Sequence, residues 1–392
     1  MSPAPSPLRI VNTTIWAAPG SDRFAGSVLL EDGRIHSVVR DAEAQPPHAG
    51  ERVIDARGRL LTAGFWNSHV HFTAAHFEDA AERSAEDLSA AATAMLNRYG
   101  FTAVVDTGSE LANTLALRDR IATHEIAGPR IRTANGSLVP VGGSPAYLDV
   151  PLPEVATASD ATAAAVAQFE DGADHLKLFA ASFIGARQIS PLMAEEALRA
   201  AIVEAHRRGR LAFAHPQSLR GVELAVAGGI DVLAHTTLEG GDWPPQLVDQ
   251  IRTRGISLIP TLKLWRHEME KARLSPEQTD AAQQIGVRQL AAAYAAGVDI
   301  LFGTDVGYMT DYDPSEEYLR MAEAGMDAAS ILGSLTANPV RRFAPDSRTP
   351  LLESGAVADL ALLNADPRDD VRHFADVALT VRDGQVTWDA AS

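Results

Sequence analysis

The sequence predicts an α/β protein, a (β/α)8 TIM barrel with a small β-sandwich domain built from both termini. Three observations make that prediction. Both ends of the chain read as short alternating strands joined by tight turns. The middle alternates short apolar runs with amphipathic helical stretches, eight times over. The 392 residues, 46% of them hydrophobic, suffice for a large core and are too many for one small domain.

At the N-terminus, residues 8–16, 24–30 and 34–39 read as strands, with Asp32-Gly33 as a hairpin turn. Residues 53–56 and 59–61 flank Arg57-Gly58 in the same way. The tail has the same character. Residues 358–363 and 377–381 are strands, and Asp383-Gly384 turns the chain into 385–388. In the middle, the strand ending at His71 is followed by FTAVV (101–105), RIRT (130–133), HLKLFA (175–180), LAFA (211–214), DVLA (231–234), SLIP (257–260) and DILF (299–302). Helical stretches near 111–124, 161–170 and 193–208 lie between some of them. Eight β-α repeats imply a parallel sheet closed on itself. An open doubly wound sheet would want a glycine-rich turn after its first strand, and Phe72-Thr73-Ala74-Ala75 is not one. The expected domains are 1–59 and 347–392, together forming the β-sandwich, around a catalytic barrel at 60–346.

Composition narrows the function. A formal net charge of -17 and a pI near 5.1 repel phosphate backbones, so no nucleic-acid partner is expected. There is no cysteine, which excludes disulfides, thiolate metal sites and cysteine nucleophiles. No basic start precedes an apolar segment, and no run of 18 apolar residues occurs. The expectation is a cytoplasmic protein with no membrane partner, acting on a small-molecule substrate, with a homo-oligomer left open.

Six residues carry the chemistry. His69 and His71 in WNSHVHF, Lys177 in DHLKLFA, His215 in LAFAHPQ, His235 in DVLAHTT and Asp305 in LFGTDVG all fall at or near strand ends. In a (β/α)8 barrel those ends meet at one pocket. Residues i and i+2 of a strand share a face, so His69 and His71 can chelate one ion, and His215 and His235 a second. Imidazole and carboxylate suit zinc, with manganese, iron or cobalt as alternatives. A cationic Lys177 would be repelled by such ions, but a carbamate formed with CO2 is an anionic bridging ligand. Asp305 can bind the first metal and accept a proton. A lone His-x-His or Gly-Thr-Asp says little. The joint pattern says more, because only three lysines occur (177, 263 and 271) and one of them sits on the fourth strand. His36, His48, His124, His206 and His373 read as solvated, and His175, two before Lys177, as a satisfied core histidine.

The order His-x-His, Lys, His, His, Asp between β-rich termini resembles the amidohydrolase superfamily. The phrases LLTAGFWNSHVHF, DHLKLFA, AVAGGIDVLAHTT, GISLIPTL, AAGVDILFGTDVG and ESGAVADLALLNADP are similar to its imidazolonepropionase-like branch, which includes binuclear peptidases of the Xaa-Pro dipeptidase type. The resemblance spans residues 8–388. It implies two divalent metal ions, with His69, His71 and Asp305 on one, His215 and His235 on the other, and carboxylated Lys177 bridging them. Two departures stand out. Deaminase members place a glutamate soon after the third histidine, and here none occurs before Glu223. Related members carry a histidine after the two glycines of VGGSPAY, where this chain has Ser144.

The implied reaction is cleavage of an amide-type C–N bond in an N-acyl amino acid, dipeptide, lactam or related small molecule by metal-activated hydroxide. A single zinc already brings bound water to a pKa of about 7. Asp305 would move the proton to the leaving nitrogen. The alternatives are a mononuclear deaminase or cyclic-amidine hydrolase with His235 as acid or base, an ester or carbamate hydrolase, a decarboxylase or isomerase on the same scaffold, and a non-catalytic binding protein. Candidate substrate contacts on the same face are His76 and Phe77, Tyr147, Phe183 and Arg187, Lys263, Trp265 and Arg266, and Tyr308 and Tyr312. Arg187 or Arg266 has the geometry to hold a carboxylate.

Overall fold

The computed structural model describes residues 6–43, 46–48, 50–145, 151–182, 191–345 and 351–391. The chain opens with β1 (Leu8–Ile15), β2 (Phe24–Glu31), β3 (Arg34–Arg40), β4 (Arg52–Asp55) and β5 (Leu60–Ala63). The central part follows, with β6 (Phe65–Val70), β7 (Phe101–Asp106), β8 (Arg130–Thr133), the short pair β9 (Val139–Pro140) and β10 (Glu154–Val155), then β11 (Leu176–Phe179), β12 (Ala212–His215), β13 (Val232–Ala234), β14 (Ser257–Ile259) and β15 (Asp299–Ile300). It closes with β16 (Leu360–Leu363), β17 (Val377–Arg382) and β18 (Gln385–Asp389).

The central strands form two parallel sheets, β6-β7-β8 and β11-β12-β13-β14-β15. Backbone hydrogen bonds join their edges on both sides. Ser68 N donates to Phe302 O (2.7 Å), Asp305 N to His69 O (2.9 Å) and His71 N to Val306 O (2.8 Å). On the other side Asp174 N donates to Thr133 O (2.7 Å) and Phe179 N to Leu138 O (2.8 Å). The arrangement is TIM-barrel-like. Its strands are covered on both faces: every residue of β6, β7 and β13 is buried. Trp66, Val105, Phe213, Val232, Ile259 and Leu301 face inward as one cluster, while Phe65, Val104, Ala214, Leu233, Leu258 and Phe302 pack outward among the helices. The helix Ala337–Phe343 plugs one mouth, with the Phe343 ring on Trp66 and Phe213 at centroid separations of 5.9 and 5.8 Å.

Helix starts follow local chemistry. Thr157 and Asp160 form a reciprocal capping box before Ala158–Glu170, and Ser275 and Gln278 do the same before Pro276–Ala296. The second helix ends at left-handed Gly297.

Both termini enter one mixed eight-stranded sheet, in the order β18-β17-β16-β5-β1-β2-β3 with β4 also on β1. The expected sandwich is thus a single continuous sheet that encloses its own core of Ile10, Ile15, Val28, Leu61, Leu362 and Val381. The reason lies in β1. Its register shifts between Ile10 and Thr13, with Asn12 at φ 52°, so one edge takes β4 along its first half and β5 along its second. β5, placed inside the central domain by the sequence reading, hydrogen-bonds into this sheet.

Arg130, at the start of β8, ties the two parts together through Asp359 and Asp383. Asp359 is 2% exposed, and burial raises its carboxyl pKa against the pull of Arg130. Arg130→Ala leaves that carboxylate buried and unpaired. The expected cost is about 2–3 kcal/mol, the low end for such a pair because Arg130 is itself partly solvated. Denaturant titration measures it. An unchanged midpoint shows that the joint holds without this pair.

Candidate metal centre

The C-terminal ends of the central strands bring the predicted residues together. His69, His235 and Asp305 are buried, and their ligand atoms all lie within 4.8 Å of one another. Asp305 Oδ1 is 3.4 Å from His69 Nε2 and 3.0 Å from His71 Nε2. The His235 ring lies 4.6 Å from that of His69 and 4.8 Å from that of His215. Lys177, 2% exposed, projects from β11 opposite Phe213 of β12.

The backbone is bent to make this meeting. A register shift in β6 falls between Asn67 and Val70, the stretch that holds His69. His235 and Asp305 sit at φ 100° and 63°, and Thr261 and Gln217 beside them at 46° and 49°. Such left-handed positions cost on the order of 1–3 kcal/mol each and cluster where a site is held against strain. Two glycines let the segment after β15 press onto the end of β6. A Cβ on Gly307 would come 1.8 Å from His71 O, and one on Gly303 would come 2.9 Å from His69 Cβ.

Hydrogen bonds assign ring nitrogens. His71 Nδ1 is 3.1 Å from Gly108 O. A carbonyl only accepts, so Nδ1 carries hydrogen and Nε2 faces Asp305. His235 Nδ1 is 2.7 Å from Thr261 Oγ1, whose own hydrogen goes to Pro260 O at 2.9 Å. Nδ1 is again the donor and Nε2 is free to ligate. Asn67 Oδ1 accepts from His69 N (3.3 Å) and Thr304 N (3.2 Å), tying β6 to the Asp305 segment.

Electrostatics favour ligation. Burial first, then the charge of Lys177, holds His69 well below its usual pKa and His215 at about 4. Burial, then His215, does the same to His235. These imidazoles are neutral near pH 7, the form that binds metal. His71 differs: burial pushes it down, but the hydrogen bond and charge of Asp305 reverse that, and the net shift is upward. Burial also lowers Lys177 to about 8, against Asp305 and Asp106, which raise it. Asp305 Oδ1 is buried, and the Nε2 atoms of His69 and His71 converge on it at 3.4 and 3.0 Å. A cation among these atoms satisfies all three, so the donor set fits a divalent metal.

The outer residues of the predicted pocket are more scattered. His76 is half-buried and meets Tyr312 Oη at 3.3 Å. Trp265 is buried, 6.3 Å from the His235 ring, and donates to Thr236 Oγ1 at 2.7 Å. Lys263 is committed elsewhere, with Nζ at 3.0 Å from Asp311 O, 2.6 Å from Asp313 O and 2.8 Å from the Asp311 carboxylate. Arg266 pairs with Glu316 and Asp280. Tyr308 Oη donates to Glu268 at 2.6 Å and accepts from Lys271 at 2.9 Å. Tyr147, Phe183 and Arg187 lie outside the described residues. Ser144 Oγ accepts from Leu152 N (2.9 Å), shaping its own loop. His175 is buried against Phe213 in the core, but it is not the satisfied histidine expected, since among the described residues its Nε2 has no hydrogen-bond partner. Sequence reasoning missed Thr261, Gly108 and Asn67. Only Asn67 carries a signal, two residues before His69 on the same strand.

A family model described as "Amidohydrolase family" matches residues 60–387. An uncharacterised protein of Mycobacterium bovis is 28% identical over 187 residues, 46% of this chain and 48% of that one, so the match spans about half the length of that curated relative. A Bifidobacterium longum structure assigned as a prolidase is 27% identical, with TM-score 0.82 over 98% of this chain and 95% of that one. A Xaa-Pro dipeptidase structure with methionine bound in its active site superposes with TM-score 0.84 at 22% identity, over 98% and 100% of the two chains.

Proposed function

Because the chain belongs to the Amidohydrolase family, we propose that it is a metal-dependent hydrolase acting on an amide-type C–N bond of a small molecule: an N-acyl amino acid, a dipeptide or a lactam. In this reading the two parallel sheets close into one barrel, and the terminal sheet is its accessory domain. The observation that carries the proposal is the convergence of His71 with the buried His69, His235 and Asp305. The likeness to a prolidase-assigned structure and a Xaa-Pro dipeptidase supports the substrate class.

His69, His71 and Asp305 would hold one divalent ion, zinc in the first place, and His215 and His235 a second, with carboxylated Lys177 between them. Burial that brings Lys177 to about 8 leaves part of it as neutral amine near pH 7–8, the form that adds CO2. Bound there, the metal supplies Lewis acidity, acidifying water and polarising a carbonyl. Asp305 takes the proton of the attacking water on its carboxylate and passes it to the leaving nitrogen. The low solvent exposure of His69, Lys177, His235 and Asp305 strengthens each of these interactions.

A one-ion reading has an observation of its own, since the ligand atom of His235 groups with those of His69 and Asp305. Elemental analysis of the purified chain, paired with a hydrolysis screen over N-acyl amino acids, dipeptides and lactams, decides. The expected result is two zinc ions per chain and turnover that a chelator abolishes. One ion per chain selects the mononuclear reading. Turnover that survives chelation defeats both.

A further inference from the structure

We propose that Gln217 is the positioning residue of His215, fixing which ring nitrogen that histidine offers to the metal site. The inference rests on the metal-centre reading above and adds a residue to it. His215 closes β12 with its ring stacked on Phe179 (centroids 4.5 Å, interplanar 21°) and edge-on to His235 (4.8 Å, 71°). Ring packing sets the plane but does not choose the nitrogen, because a half-turn about Cβ–Cγ leaves the same apolar contacts. The hydrogen bond makes the choice. His215 Nε2 is 2.9 Å from Gln217 Oε1. An amide oxygen only accepts, so Nε2 carries the hydrogen and Nδ1 keeps its lone pair.

This inverts the pattern of the neighbouring ligands. His71 and His235 are fixed at Nδ1, by Gly108 O and Thr261 Oγ1, and offer Nε2. His215 alone of the three is fixed at Nε2, by a side chain two residues ahead. Reaching back across two residues requires a sharp turn, and the chain is built for one. Gln217 sits at φ 49°, uncommon for a residue other than glycine, asparagine or aspartate. Ser218 N donates to Pro216 O at 2.5 Å, and Leu219 N donates to Glu239 O at 3.0 Å. Gly221 admits the turn, since a Cβ there would lie 1.8 Å from Pro216 O. A neutral amide also suits the task. It orients the imidazole without the charge that would favour imidazolium and set protons against metal.

The plain alternative is a turn residue whose amide meets the nearest ring and determines nothing. Nitrogen-15 NMR of the histidine-labelled chain, with Zn2+ titration against a chelator, separates the two. Wild type should show His215 as the Nε2–H tautomer. Gln217→Met matches the side-chain length and removes the acceptor. It should give a mixed or reversed tautomer and Zn2+ binding about 10- to 100-fold weaker, with an unchanged melting temperature. Gln217→Glu keeps the acceptor and should keep the hydrogen on Nε2. A proton found on Nδ1 in wild type overturns the proposal. So does Gln217→Met with wild-type tautomer and Zn2+ affinity. If Gln217→Met does not fold, the wild-type and Gln217→Glu spectra still decide. A wild-type chain that takes up no Zn2+ overturns the metal reading instead, and the tautomer still answers for Gln217.

Discussion

Asp305→Asn should lower kcat by about 10²- to 10⁴-fold while the chain keeps its fold and its metal. Asparagine is the informative replacement for three reasons. Asp305 sits at φ 63°, and asparagine tolerates that conformation better than any other residue except glycine, so the backbone stays where it is. The backbone bond from residue 305 N to His69 O, at 2.9 Å, is untouched. The side chain keeps one oxygen to face His69 and His71 and loses only its charge and its capacity to take a proton. The expected loss therefore reports the proton transfer rather than the scaffold. His71 supplies an internal check. Asp305 is what lifts its pKa against burial, so in the variant the His71 pKa should fall, visible in the same histidine NMR spectra. Elemental analysis must show unchanged metal alongside the kinetics. Full turnover in a metal-loaded variant would remove Asp305 as the proton carrier and pass that role to another group, with His235 first in line.

The site's residues are legible in the chain, and its wiring is not. FTAVV, LAFA and DVLA read as strands because helices cover the outside and side chains fill the inside, so neither face needs polar residues. Each ligand then stands out as a polar group at the end of an apolar run. The wiring depends on features with no local signature. Simple alternation puts His69 and His71 on one face, but the register shift in β6 lies between Asn67 and Val70, and nothing in WNSHVHF announces it. Sequence order pairs His235 with His215, and their rings do meet at 4.8 Å, but nothing in DVLAHTT announces that the ligand atom of His235 also groups with those of His69 and Asp305. Thr261 follows a proline on a different strand from the histidine it orients. The terminal sheet shows the same limit. Each strand is legible, but the pairing of β1 with β4 and then β5 is a long-range choice made by a bulge. Lys263 reads as a pocket residue by position, yet the carbonyls of 311 and 313 claim its amino group, and those partners are some fifty residues downstream.

Lys177→Met should cut the metal content from two ions to one and reduce turnover by at least about 10²-fold, a loss of the size that follows when a group completing a metal site is removed. Methionine fits the space, since Lys177 is 2% exposed and unbranched. The variant therefore tests the headgroup and not the packing. Two readings of the lysine diverge here. As an unmodified ammonium it would be a counter-ion for Asp305 and Asp106, the two carboxylates that raise its pKa against burial. Removing it would strand buried negative charge, cost about 3–5 kcal/mol of stability, and leave metal uptake intact or improved, because a neighbouring cation would be gone. As a carbamate it carries negative charge, and its loss weakens metal binding. Stability of the metal-free chain would then hardly change. The ammonium reading thus lowers the melting temperature and spares the metal, and the carbamate reading lowers the metal count and spares the melting temperature. Growth or reconstitution with 13C-bicarbonate adds a direct observation, since a carbamate carbonyl signal should appear in wild type and vanish in Lys177→Met. A wild-type spectrum without that signal, together with a destabilised variant that still binds its full complement of metal, would make Lys177 a structural cation and leave a single ion on His69, His235 and Asp305.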